Sequence, residues 1–269
     1  MIKEANQYII DYYSNYDEDG RLESRHDSIE FLTTMRYIEK YLKLGDRVLE
    51  VGAATGRYSH TLARKGYCVD AVELVEHNIE IFRQNTQEGE NVTITQGNAM
   101  DLSGFADNTY DMTLVLGPMY HLYTQKDKRK AIREAIRVTK QQGIVVVAYV
   151  ISDGVILFDG FINGKLNIAE FIERGLIDPE TFTTRSEPKD LFELVRKEDI
   201  ENLMSVFPVT RLHYVATGNC VRWTQYMRDV MDAMDEKTFE LFLKYHYATC
   251  EREDLAGISS HVIDVFRKD

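Results

Sequence analysis

Two acids and a glycine turn carry the first chemical signal in the chain. Glu50 lies near the end of the apolar run RVLEVG, ahead of a turn with Gly52 and Gly56 in G-x-x-x-G spacing, and Glu73 ends the next apolar run, 21 positions beyond Gly52. A dinucleotide site wants G-x-G-x-x-G, whose second glycine lets the backbone approach a pyrophosphate at a helix N-terminus. Here the middle position is Ala54, and the upstream carboxylate would repel a pyrophosphate by roughly 1 kcal/mol or more at surface-like dielectric. The same carboxylate suits a ligand with an ammonium group. An acid at Glu73 can accept both ribose hydroxyls, a role common to NAD and other adenosyl ligands, so it does not choose among them. The segment GNAMDL (97–102) offers the Asn98 amide and neighbouring backbone to an adenine edge. Together these features describe an adenosine pocket with an amino-acid tail.

The elements that must position these groups alternate. Ile29, Leu32, Met35, Ile38 and Leu42 recur at helical spacing behind a capping-box-like Asp27 and Glu30, and Gly45 is expected to close that helix. Strand, glycine turn and helix follow through Gly66. Strands are then expected at 67–74, 91–96, 110–117 and 143–150, with helices over 76–85 and after Thr124. Nearly all-apolar strands alternating with helices indicate a parallel sheet covered on both faces. The second half is less regular, with a short helix in NIAEFIERG, a helix in KEDIENLMSVF, a strand at 209–216, helix over 221–255 and a last strand at 259–266. The last two strands most simply complete the same sheet, which argues for one domain.

In order and spacing, VLEVGAATGRYS, VDAVEL, GNAMDL, YDMTLVLGPMYHL and IRVTKQQGIVVVAYV resemble the class I S-adenosylmethionine-dependent methyltransferases. GPMYHL and GISSHVIDVFRK are similar to sequences of a bacterial small-molecule branch. The resemblance spans nearly the whole chain, strongest over 46–151 and weak over 152–205. It implies an α/β, Rossmann-like seven-stranded sheet of order 3-2-1-4-5-7-6 with the last strand antiparallel. Residues 1–269 would form a single methyltransferase domain with an N-terminal cap segment (1–44) and helical cap insertions (152–195 and 217–258). Carried over residue by residue, Glu50, Gly52, Ala53, Ala54 and Gly56 hold the methionine part of S-adenosyl-L-methionine. Glu73 binds the ribose, with Leu74 and Asn78 beside the adenosine. Asn98, Ala99 and Met100 meet the adenine, and Leu116 and Gly117 line the donor near its sulfur. Tyr13, with Tyr12 and Tyr16, belongs to a segment that folds over the cofactor, where aromatic faces attract a sulfonium. Arg21 and Arg25 are candidates for the cofactor carboxylate. Three departures from the family pattern stand out: Ala54 for a glycine, Asn98 for an aspartate, and QQG at 141–143 for a Pro-Gly turn.

Methyl transfer from a sulfonium is an in-line displacement that needs a base only when the acceptor starts protonated. His121, after the fourth strand, is the candidate base, since imidazole titrates near neutrality. Tyr120 is a wall of the acceptor site or part of the core; His246 and Trp223 face a substrate or the core, and His261 is expected to be structural. Methyltransferases acting on amino nitrogens of bases or glutamine share an Asn/Asp-Pro-Pro-Tyr/Phe segment at this strand end, and Gly117-Pro118-Met119-Tyr120 lacks its polar acceptor. With 32 Lys and Arg against 44 Asp and Glu, a net charge of −12 further disfavours nucleic acid as partner. An O, N or C atom of a small molecule is therefore the expected acceptor. The alternatives are a non-catalytic S-adenosylmethionine-binding protein and, behind it, a nucleic-acid or protein methyltransferase or an NAD-dependent oxidoreductase. Cys68, Cys220 and Cys250 lack zinc or disulfide spacing, no metal is required, and no run approaches the ~20 apolar residues that span a bilayer. The expectation is a cytoplasmic protein with no membrane partner.

Overall fold

The structure, a computed structural model, describes residues 2–16, 24–190, 192–218, 224–257 and 259–269. Arg21, Cys220 and Trp223 lie outside the described residues.

Helices α1 (Ile2–Tyr13) and α2 (Arg25–Glu39) precede the sheet. The first half then alternates β1 (Arg47–Val51), α3 (Arg57–Arg64), β2 (Cys68–Glu73), α4 (Glu76–Asn85), β3 (Val92–Gln96), β4 (Tyr110–Val115), α5 (Gln125–Val138) and β5 (Thr139–Ile151). The second half contributes α6 (Ser152–Val155), α7 (Ile168–Glu173), β6 (Leu194–Val195), α8 (Lys197–Met204), β7 (Val209–Ala216), α9 (Gln225–Asp232), α10 (Glu236–Thr249), α11 (Glu253–Ala256) and β8 (His261–Lys268). Sheet order is β3-β2-β1-β4-β5-β8-β7, with β6 paired to β5. β8 runs antiparallel to both β5 and β7, and the other pairings are parallel. The expected seven-strand order is thus present, with one correction: two-residue β6 joins the end of β5, too short to carry a sequence signal.

Period-two alternation distributes the core. Leu49, Val51, Val145 and Val147 face α5 and α8, whose Ile132, Ala135 and Leu203 join them in one cluster. Val48, Met112, Leu114 and Val146 face the opposite way, against Met35 and Ile38 of α2 and Leu62 of α3. Parallel strands buried on both faces read as continuous apolar runs for this reason.

Three boundaries differ from the sequence expectation. The cap of α2 is Ser24, whose hydroxyl accepts from Asp27 N; the expected Asp27 cap lies inside the first turn. That helix ends at Glu39, and Gly45 instead makes a left-handed turn (φ 86°) ahead of β1. β5 starts directly from α5, and QQG forms an irregularity within it, with Gln142 at φ 60° while pairing jumps from Tyr110–Thr139 to Met112–Ile144.

Candidate functional site

Strand order reverses between β1 and β4, the place where open α/β sheets bind ligands at the strands' carboxyl ends. A cavity opens there with about 1050 Å³ of atom-free space, its open mouth included. Its walls hold Tyr13, Tyr120, His121 and, except for Gly56 and Met100, every residue from Glu50 to Gly117 expected to hold the donor. Gly56 (φ 92°) caps α3 and is so closely packed that a Cβ would lie 2.5 Å from Phe82. Met100 is pulled into the core beside Leu102, because Asn98 Oδ1 accepts from Met100 N at 2.9 Å and closes a tight turn.

The β1 turn is built from left-handed residues: Gly52 at φ 78°, Ala54 at φ 49° and Gly56 at φ 92°. A Cβ on Gly52 would sit 2.7 Å from Pro118 Cδ, so only glycine lets the first turn pass the turn after β4. Ala54 holds its conformation because its N–H donates to Glu73 Oε2 at 2.9 Å. Glu73 Oε1 accepts from Val75 N at 2.9 Å and from Asn78 Nδ2 at 3.4 Å. Burial pushes the Glu73 carboxyl above its ordinary range, opposed by the N–H groups of Val75 and Ala54. Glu73 thus braces the turn it faces. Asn78 Oδ1 is buried on the cavity wall without a hydrogen-bond partner among the described residues.

Glu50 is 1% exposed and accepts a hydrogen bond from Ser59 Oγ of α3. Burial pushes its carboxyl up to about 8; the Ser59 bond opposes the shift and the neighbouring Glu73 adds to it. A buried carboxyl so raised is poised to ionise when a cation arrives.

After β4, a 3₁₀ turn over Pro118–His121 sets Tyr120 and His121 on the cavity. Tyr120 donates to Leu116 O at 2.8 Å. His121 Nε2 and Tyr13 Oη lie 3.1 Å apart, their rings nearly perpendicular at 88°. Phe192 packs behind, 5.4 Å from the His121 ring and 5.9 Å from Tyr120.

Sequence reading missed Asn6, Ile9, Arg57, Tyr58 and Leu122 in the walls. Asn6, Ile9 and Tyr13 share one face of α1 at helical spacing, and Arg57 and Tyr58 follow the glycine turn directly, so both signals were present. Other expectations fall elsewhere. Arg25 pairs with Glu236 at 2.6 Å and lies over the Phe239 ring, tying α2 to the α9–α10 hairpin instead of reaching the cavity. Tyr12 and Tyr16 stack on each other at 5.1 Å, and neither is among the lining residues. His246 is fully buried against Thr33 of α2, its imidazole pushed down to about 4 by burial. Among the described residues, neither 152–195 nor 217–258 lines the cavity, although Phe192 backs its histidine.

Comparison with known proteins bears on the same site. Residues 48–143 match a family model described as a methyltransferase domain. Residues 48–143 carry a methyltransferase domain. The chain is 26% identical to a glycine/sarcosine N-methyltransferase of Aphanothece halophytica, over 53% of each chain. It is 29% identical to a demethylmenaquinone methyltransferase of Clavibacter sepedonicus, over 50% of this chain and 53% of the other. The chain spans about half the length of the curated relatives it matches. The methyltransferase fold extends further: magnesium protoporphyrin IX methyltransferase of Synechocystis, solved with bound S-adenosylhomocysteine, superposes with a TM-score of 0.61 at 12% identity, covering 98% of this chain and 100% of that one. No helix among the described residues is long and apolar enough to cross a membrane.

Proposed function

We propose that this chain transfers a methyl group from S-adenosyl-L-methionine to a small-molecule acceptor in the cytoplasm. The observation that carries the reading is one cavity holding two buried carboxyls, Glu50 and Glu73, the unpartnered Asn78 Oδ1, and the Tyr13–His121 pair. These residues fit the cofactor. A carboxylate offers about four acceptor sites, and three at Glu73 are taken, so Glu73 and Asn78 Oδ1 together can serve the two ribose hydroxyls. Glu50 suits the ammonium group, and the Arg57 guanidinium on the same wall suits the carboxylate. Leu74 and Ala99 flank the adenine, with Asn98 and its backbone at the base edge, while Leu116 and Gly117 close the side toward the acceptor.

S-adenosylmethionine supplies an electrophilic methyl on a sulfonium. The chain's own part is to hold donor and acceptor in line in a dry cavity and to take a proton from the acceptor where one must leave. His121, steadied by Tyr13 Oη, is the base in this reading. Relatives named for glycine/sarcosine and demethylmenaquinone support a small-molecule acceptor. The His121→Ala variant, assayed with labelled donor and a metabolite extract, is expected to lose 100-fold or more in turnover with S-adenosylhomocysteine affinity within about threefold of wild type. Intact turnover would remove His121 from the mechanism.

A further inference from the structure

We propose that the acceptor is a planar aromatic hydroxyl compound, a phenol or hydroquinone, received against the rings of Tyr13, Tyr120 and His121 and methylated on oxygen. This rests on the methyltransferase reading and concerns the acceptor half of the same cavity. Three rings line that half, and their planes diverge: His121 is at 88° to Tyr13 and 63° to Tyr120. Ile9 and Leu122 add aliphatic wall. Such a lining favours a flat apolar body, because aromatic rings take neighbours edge-to-face or offset.

Charge selects against an amine. Among the described residues lining the cavity the only acids are Glu50 and Glu73, and with donor bound both are committed, the first to the donor's ammonium group and the second to Ala54 N, Val75 N, Asn78 and the ribose. An alkylammonium acceptor would find no free counter-charge. Acidity selects against an aliphatic alcohol. A phenol, at about 10, is more acidic than a water-like hydroxyl by more than about 5 units, so whatever the base, proton removal from the phenol is favoured by more than about 10⁵-fold.

In the step itself, the acceptor O–H passes its proton to Tyr13 Oη as Tyr13 passes its own to His121 Nε2, 3.1 Å away. The acceptor oxygen forms a bond to the methyl carbon while the carbon–sulfur bond breaks, its electron pair staying on sulfur. Phe192, 5.4 Å behind His121, is a positioning residue that keeps the imidazole on the tyrosine.

The test uses the full chain with labelled S-adenosylmethionine and phenol, catechol, 2-naphthol, cyclohexanol and ethanolamine as separate acceptors. Donor binding is measured first by calorimetry; a chain that does not bind it contradicts the methyltransferase reading. With donor bound, at least one planar phenol is expected to yield its methyl ether, with cyclohexanol and ethanolamine at least 100-fold slower. Tyr13→Phe is expected to lower kcat at least 10-fold at pH 7 and to steepen its rise with pH, with donor affinity unchanged. Transfer to ethanolamine or cyclohexanol in preference to the phenols, or to none of the five by a donor-bound chain, would overturn the proposal.

Discussion

At the residue scale, Glu50 links the cavity to pH. Burial raises its carboxyl from an ordinary 4.5 to about 8, so at neutral pH the folded chain holds a proton there that the unfolded chain has lost. Stability from this group is therefore greatest at low pH and declines as pH rises from about 4.5 through about 8. For a ligand with an ammonium group the sign reverses, since it binds the ionised form. Titration of S-adenosylhomocysteine at pH 7 in buffers of different ionisation enthalpy is expected to release close to one proton, and 5′-methylthioadenosine, lacking the amino-acid tail, none. Ala54 offers a second residue-scale test. Its left-handed φ of 49° costs an L-residue roughly 1–2 kcal/mol, while glycine there loses about 0.4–1 kcal/mol more chain entropy on folding. Ala54→Gly is expected to leave denaturant stability unchanged or about 1 kcal/mol higher. Such residues were legible where chemistry and spacing coincide, as at Glu50, Glu73 and His121. Glu73's bracing of Ala54 was not, because a backbone N–H carries no side-chain signature.

At the element scale, the first half was readable because β1, β4 and β5 are largely apolar runs and β1, β2 and β4 are each followed by a helix. Gly66 (φ 91°) ends α3 as expected, and Thr124 caps α5 by accepting from Asp127 N. Element ends failed where two signals compete: Ser24 lies three residues before Asp27, and either side chain can cap. The second half was harder, since the helices over 217–258 pack on α2 through Ile29, Met231 and Phe239, contacts between residues some 200 positions apart. Gly56 is where element geometry can be tested cleanly. A methyl group at φ 92° would meet Phe82 and His60 within 2.6 Å, so Gly56→Ala combines backbone strain with overpacking. It is expected to lower stability by about 2–4 kcal/mol in urea unfolding.

For the whole molecule, the fold says less than the site. A TM-score of 0.61 at 12% identity fixes architecture, and architecture hosts many chemistries. The described residues build one eight-stranded sheet with its helices; the excess of 12 acids over bases argues only against phosphate-backbone partners. Binding should be visible globally. Saturation to 100 times the dissociation constant adds about 2.7 kcal/mol, and each kcal/mol moves the melting point of a chain this size by about 2–4 °C. S-adenosylhomocysteine is therefore expected to raise the melting temperature by about 5–10 °C. The most direct measurement is a calorimetric titration of the wild-type chain with S-adenosylhomocysteine and, separately, NAD. The account predicts one site per chain for S-adenosylhomocysteine and no measurable heat with NAD; tight NAD binding without S-adenosylhomocysteine binding would contradict it.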